Sequence, residues 1–262
     1  MNKLILAFQF LTIIPVKDTG KIPDEEMGSV AATFPLVGLA EGAILAGLAF
    51  LLLKILPAEV VSALLVLVMT ILNGGLHLDG LADTFDAIAA RGDKDRKLAI
   101  MKDSSIGPAG VISIVIALLL NYVLLNAVHF HATKDIYFGI VLLMPVVSRW
   151  AMVPAIFYGK SARQDGLGRA FIEHTSLKEL IFSTLLMFFI VVIYALVFSD
   201  IDLFVSFCMM NFPVLYAFCL LTVWFSNIHF EGLTGDVFGA VNEIAKLIFL
   251  ITSLLWLQQS TL

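Results

Sequence analysis

Charge is scarce in this chain. Acidic and basic residues fill 14% of its 262 positions and hydrophobic residues 60%, with a mean hydropathy of +0.98. Globular domains carry about 25% charged residues. A chain of this length has no interior large enough to hide so much apolar surface, so the excess must face lipid. A water-soluble domain is excluded. The expected fold class is an all-α polytopic membrane protein, with residues 1–262 forming a single integral membrane domain.

Cysteine is nearly absent too. Cys208 and Cys219 fall inside one apolar run, so no disulfide framework is expected and both read as packing residues. A formal net charge of −5 does not attract a polyanion, and no nucleic-acid partner is expected. No G-x-x-x-x-G-K-[ST] run occurs, so a nucleotide would not be held by that kind of phosphate loop. The apolar patch Leu4–Val16 is followed by no small-residue cleavage site. It falls short of the ~20 residues a spanning helix takes and is expected to lie at the interface or re-enter.

Long apolar runs are what the chain has in quantity. About seven can cross a bilayer, roughly at 30–56, 58–77, 109–128, 136–157, 179–199, 203–225 and 237–257. Short polar connections lie at Pro57–Glu59, His129–Asp135 and Ser199–Asp202, and long charged ones at 78–108, 158–178 and 226–236. Lys3, Lys17, Lys21, Arg91, Lys94, Arg96, Lys97, Lys102, Lys160, Arg163, Arg169 and Lys178 lie in the N-terminal segment or the long loops. Only Lys54 and Lys134 lie at short connections. That bias predicts a cytoplasmic N-terminus and cytoplasmic long loops, and an odd number of crossings puts the C-terminus outside.

The few charges are grouped. In Asn73–Ala87, NGGLHLDGLADTFDA, His77 is followed by Asp79, Asp83 and Asp86 at i, i+4 and i+7. On a helix this spacing brings all three carboxylates to one face. Like charges so close to a membrane repel and are costly to desolvate, and a hard divalent cation is the usual answer to clustered carboxylate oxygens. The alternative is a solvated acidic face. A second group, Thr234-Gly235-Asp236, opens the last span with Glu243 two turns on. Gly235 would admit a ligand close to the backbone at a helix N-terminus, where anions are favoured; helix capping alone explains Thr234 and Asp236 but not Glu243. HLDGLADTFDA and HFEGLTGDVFGA also align with one extra residue in the second, pairing His77 with His229 and Asp83 with Asp236. They are candidates for a parallel internal repeat.

Cations stand between and beside these groups. Arg91–Gly110 supplies Arg96, Lys102 and Ser104 as candidate phosphate contacts ahead of a tight turn marked by Gly107, Pro108 and Gly110. DGLGRAF, Asp165–Phe171, adds Arg169. Arg149 lies within a span, where a charge is expensive and calls for a partner or a site role; it is placed with the phosphate contacts. Glu41, between Gly38 and Gly42 at helix-packing spacing, is left outside the site. His129 and His131 read as surface residues. Acids collected at one membrane face suit an interfacial enzyme better than a transporter, whose charges would spread towards the midplane.

FLTIIPV near the start, TFPLVGLAEGA, GGLHLDGLADTFDA, IMKDSSIGPAG, DGLGRAF and TGDVFGAVNE stand in this order over most of the chain. Together they resemble the cobalamin synthase family, the adenosylcobinamide-GDP ribazoletransferases. The resemblance implies a Mg2+-dependent transfer at the cytoplasmic face of a bacterial inner membrane. α-Ribazole or its 5′-phosphate would attack the cobinamide-bound phosphorus of adenosylcobinamide-GDP, and GMP would leave. Asp79, Asp83, Asp86, Asp236 and Glu243 are then the expected metal ligands, and one carboxylate of this set or His77 the proton acceptor. The nearest alternative is another aspartate-cluster membrane transferase, of the CDP-alcohol phosphotransferase or prenyltransferase type. The alternative from a different class is a cation-coupled transporter.

Overall fold

A computed structural model describes residues 3–16, 23–198 and 201–260. Lys17 and Lys21, counted in the charge bias, and Ser199 and Asp200 of one short connection lie outside them. The helices are α1 (Lys3–Leu11), α2 (Met27–Ala31), α3 (Phe34–Leu52), α4 (Ala58–Leu72), α5 (Leu76–Ala89) and α6 (Lys94–Ile100). They continue as α7 (Pro108–His131), α8 (Lys134–Tyr158), α9 (Leu167–His174), α10 (Leu177–Phe198), α11 (Ile201–Phe230) and α12 (Gly235–Ser260). Among the described residues there is no strand, only an isolated bridge between Ser161 and Leu233.

Six helices, α3, α7, α8, α10, α11 and α12, are long and apolar enough to cross a membrane, and α4 with α5 makes a seventh candidate bent by 87°. The all-α polytopic expectation is met. The second span is shorter than expected because its last residues leave the helix. Asn73-Gly74-Gly75 ends α4 with two left-handed glycines, at φ 58° and 74°, and Gly75 N–H donates to Thr70 O at 3.1 Å. Glycine takes this conformation without the Cβ penalty, so a paired glycine is a strong helix stop. The chain then turns sharply, and α5 leaves the span carrying the aspartates.

α8 is the central helix, buried nearly from end to end and packed by α3, α10, α11 and α12. Gly38 and Gly42 let α3 lie against it. A Cβ at Gly38 would stand 2.5 Å from Pro145 O, and one at Gly42 2.0 Å from Leu142 O. Small residues at this spacing are the usual route to close helix contact in lipid. α1, about 14 Å long at 1.5 Å per residue, buries Leu6, Ala7 and Leu11 against the bundle. Just beyond it Ile13 N–H donates to Leu72 O at 2.9 Å, so the N-terminal patch packs against the end of α4.

The long polar connections meet one another. Lys94 on α6 pairs with Glu231 after α11, and Lys102 with Asp165. Cys208 and Cys219 are free thiols, the latter buried, as packing residues should be. The internal repeat fails. His77 and the residues after it are continuous helix, whereas His229 ends α11 and the chain passes through Glu231 at φ 56° and a non-helical turn before α12. The two stretches have different backbones, so their likeness in letters carries no structural equivalence.

Candidate active site

α5 lies across the start of α12 because glycines face each other there. A Cβ at Gly80 would come 2.7 Å from Asp236 O, and one at Gly239 3.1 Å from His77 O. This contact brings Asp236 to the face of α5 that carries the aspartates. The 87° bend and the glycine contact together achieve what helix spacing alone could not.

The three aspartates then have different fates. Asp79 is exposed and lines a cleft of about 230 Å³ shared with Asp236, Arg163 and Arg169. Asp83 is partly buried, and desolvation followed by the carboxylates of Asp79, Asp236 and Asp86 pushes it up to about 7, against the pull of the Arg163 guanidinium. Asp86 is already engaged. It accepts from Gly107 N–H at 2.6 Å and Gly110 N–H at 2.8 Å, satisfying amides at the N-terminus of α7. Ile-Gly-Pro-Ala-Gly is therefore an anchor for α5. A side chain at either glycine would collide with the Asp86 carboxylate.

The far wall of the cleft is a pair of crossed loops. Leu233 N–H donates to Lys160 O at 2.8 Å and Ala162 N–H to Leu233 O at 3.0 Å. This small bridge sets Arg163 beside Asp236, with Nη2 3.1 Å from Oδ2, while Thr234 Oγ1 donates to the same oxygen at 3.2 Å. Arg169 lines the cleft too, held by Glu173 at 2.7 Å and by the Gln164 carbonyl at 2.7 Å. Lys102 Nζ stands 3.8 Å from Asp165 Oδ1, at the rim. Gly235 lines the floor, at the first turn of α12.

Four expected site residues are placed elsewhere. Arg149 is 1% exposed, and its guanidinium is taken by Glu41 Oε2 at 3.1 Å, Asn73 Oδ1 and the His77 ring. It ties α3, α4, α5 and α8 together and does not reach the cleft as a phosphate contact; the membrane's low polarity demanded a partner, and Glu41 is it. Glu243 is buried against Lys246 at 2.7 Å, its charge answered there, and it does not line the cleft. Arg96 is exposed on α6, its amide capped by Asp93 at 3.1 Å, and Ser104 is exposed in the turn made by Asp103 and Ser105; neither lines the cleft. His77 does border it, but at 2% exposure with Arg149 on its ring it is a poor proton acceptor. Sequence reasoning missed Arg163 as a site residue. In the sequence it stands among the cations of the long loops, two residues before DGLGRAF.

Asp79, Asp83 and Asp236 present only carboxylate oxygens, the donor type a hard divalent cation takes. Against them the cleft sets the Arg163 guanidinium, leaving negative charge uncompensated. The donor chemistry fits Mg2+. Among the described residues no three His, Cys, Asp or Glu side chains already converge closely enough to hold an ion, so binding would draw these carboxylates together.

A bundle of helices long and apolar enough to cross a membrane, with an acid-and-arginine cleft between its helix ends, defines a multi-pass membrane protein with a polar site. The chain belongs to the cobalamin-5-phosphate synthase family, whose sequence pattern matches residues 3–254. Its relatives include adenosylcobinamide-GDP ribazoletransferases from Geotalea daltonii, 39% identical over 94% of both chains, and from Clostridium acetobutylicum, 34% identical over 96% of this chain and 95% of the relative. A third, from Clostridium tetani, is 34% identical over 93% of this chain and 92% of its own length. No solved structure matches.

Proposed function

We propose that the protein transfers the adenosylcobinamide-phosphate moiety of adenosylcobinamide-GDP to α-ribazole or α-ribazole 5′-phosphate, releasing GMP. Family membership and the names of the relatives support the reaction. The observation that carries it at the level of residues is the cleft lined by Asp79, Asp236, Arg163 and Arg169, with Asp83 close enough to feel the charges of Asp79, Asp236 and Arg163. Carboxylates for a cation beside guanidinium groups for phosphate are what a diphosphate substrate requires.

Mg2+ held by Asp79, Asp83 and Asp236 would offset the charge that accumulates as the pyrophosphate bond breaks. Arg163, Arg169 and Lys102 at the rim bind phosphate oxygens, and the first amides of α12 at Gly235 add N–H donors. The ribazole hydroxyl attacks the cobinamide-bound phosphorus, and its proton passes to a carboxylate of α5, because both ring nitrogens of His77 lie against the Arg149 guanidinium. The lysine and arginine bias of the long connections supports a site open to the cytoplasm and a place in the bacterial inner membrane.

The test uses washed membranes containing the protein, with Mg2+ and adenosylcobinamide-GDP. GMP should appear only when α-ribazole or its phosphate is added and should stop with chelator. GMP release that ignores ribazole, or cation flux without turnover, would overturn the reading.

A further inference from the structure

The Arg163–Asp236 ion pair occupies a carboxylate that a cation in this cleft would also claim. We propose that Arg163 is an exchangeable counter-ion: cation binding takes over Asp236 and frees the guanidinium for the phosphates of the incoming nucleoside diphosphate. The inference rests on the transferase reading above and deepens it by ordering two binding events.

The backbone around the pair is fixed while the side chain is not. The bridge between Lys160–Ala162 and Leu233 holds both loops in register. Ser161 Oγ accepts from Arg163 N–H at 3.3 Å and donates to Arg163 O at 2.7 Å. A change of partner therefore needs only a turn of the arginine side chain. That side chain is lightly held, through one contact of 3.1 Å, longer than the ~2.7–2.9 Å usual for a charge-assisted bond. Its Nε is buried with no hydrogen-bond partner among the described residues. A guanidinium has five N–H donors in a planar fork suited to phosphate, and most of this fork is unspent. Arg169 differs, because Glu173 and the Gln164 carbonyl already hold it from two sides.

Asp236 is equipped for the exchange as well. Thr234 Oγ1 bonds the oxygen that Arg163 touches, so the carboxylate keeps its orientation after the guanidinium leaves. Replacing a single positive charge by a doubly charged cation also answers the surplus of carboxylates better than Arg163 does. The freed arginine remains within the same cleft, where the substrate's phosphates must come.

The experiment measures Mg2+ binding to the substrate-free, full-length protein in detergent, and pyrophosphate binding in the presence of Mg2+, by calorimetry. Arg163→Gln removes the competitor, so Mg2+ should bind about two- to fivefold tighter, the worth of a partly exposed ion pair. Pyrophosphate should bind about tenfold weaker for loss of a charged donor. Arg163→Lys keeps the charge without the fork; its Mg2+ affinity should stay within about twofold of the unaltered protein and its pyrophosphate affinity fall between the two. The Mg2+ gain should vanish when Asp236→Asn is added, because the exchange acts through that carboxylate. Parallel weakening of both ligands would make Arg163 a brace, and a gain that survives Asp236→Asn would make it a distant charge; either overturns the proposal. Mg2+ binding that Asp79→Asn removes but Arg163→Gln does not strengthen overturns the exchange alone. A protein that binds no Mg2+ in this cleft overturns the metal reading with it.

Discussion

Arg149 on α8 and Glu41 on α3 form an ion pair at 3.1 Å with side chains 1% and 4% exposed. Asn73, the last residue before the α4–α5 bend, joins both: its amide nitrogen donates to Glu41 Oε1 at 2.9 Å and its oxygen accepts from Arg149. The sharp turn that presents the aspartates is thus pinned from inside the bundle. Removing one member of a buried pair leaves the other charge unanswered, at a cost of about 3–5 kcal/mol. Glu41→Gln and Arg149→Gln should each lower the unfolding midpoint in detergent strongly, whereas the double variant Glu41→Leu with Arg149→Met, which removes both charges at once, should lose much less. Independent, additive losses would mean that the two side chains are not coupled.

Asp83 carries a carboxyl raised from 3.8 to about 7 by burial and by its acidic neighbours. A raised carboxyl means that the folded state holds this proton more tightly than the unfolded chain does. Its contribution to stability is therefore fully present below about pH 4 and is lost as pH rises through about 7. Cation binding runs the other way, since Mg2+ must displace the proton. Mg2+ affinity of the substrate-free protein should climb between pH 6 and pH 8 by about tenfold, the scale of one coupled proton, and Asp83→Asn should flatten the climb. The same variant should abolish GMP release while the protein stays folded and inserted. Retained turnover would remove Asp83 from the site.

Asp86 should behave as an anchor. Asp86→Ala strands the Gly107 and Gly110 amides, each an interaction of about 1.5–3 kcal/mol when one partner is charged. Gly110→Ala would place a Cβ 2.4 Å from Asp86 Oδ2 and displace the same carboxylate. Both should loosen α5, seen as faster amide exchange over its last turns, and both should reduce turnover. An Asp86→Ala protein with unchanged exchange and no Mg2+ binding would return Asp86 to the ligand set.

Glu243 offers the converse case. Its partner Lys246 is 3% exposed, so Glu243→Gln leaves a buried ammonium unpaired and should destabilise the bundle by about 3 kcal/mol. Mg2+ affinity of the surviving folded fraction should not change. A loss of Mg2+ binding at constant stability would restore Glu243 as a ligand.

Much of this protein was legible in its sequence, for reasons that are local. Lipid requires every backbone group to be satisfied within its own segment, so apolar length alone marks the spans. Paired glycines after Asn73 announce the stop of α4, and the spacing of Asp79, Asp83 and Asp86 sets them on one helical face whatever surrounds it. The partners of charged groups are not local. Whether Arg149 met a phosphate or Glu41, whether Asp86 met a cation or two amides, and whether Arg163 entered the cleft at all depended on which helix faces came together. Glycine contacts at Gly38, Gly42, Gly80 and Gly239 made that choice. In a low-polarity interior a charge binds whatever opposite group packing brings within reach, and packing joins residues that sequence separation does not.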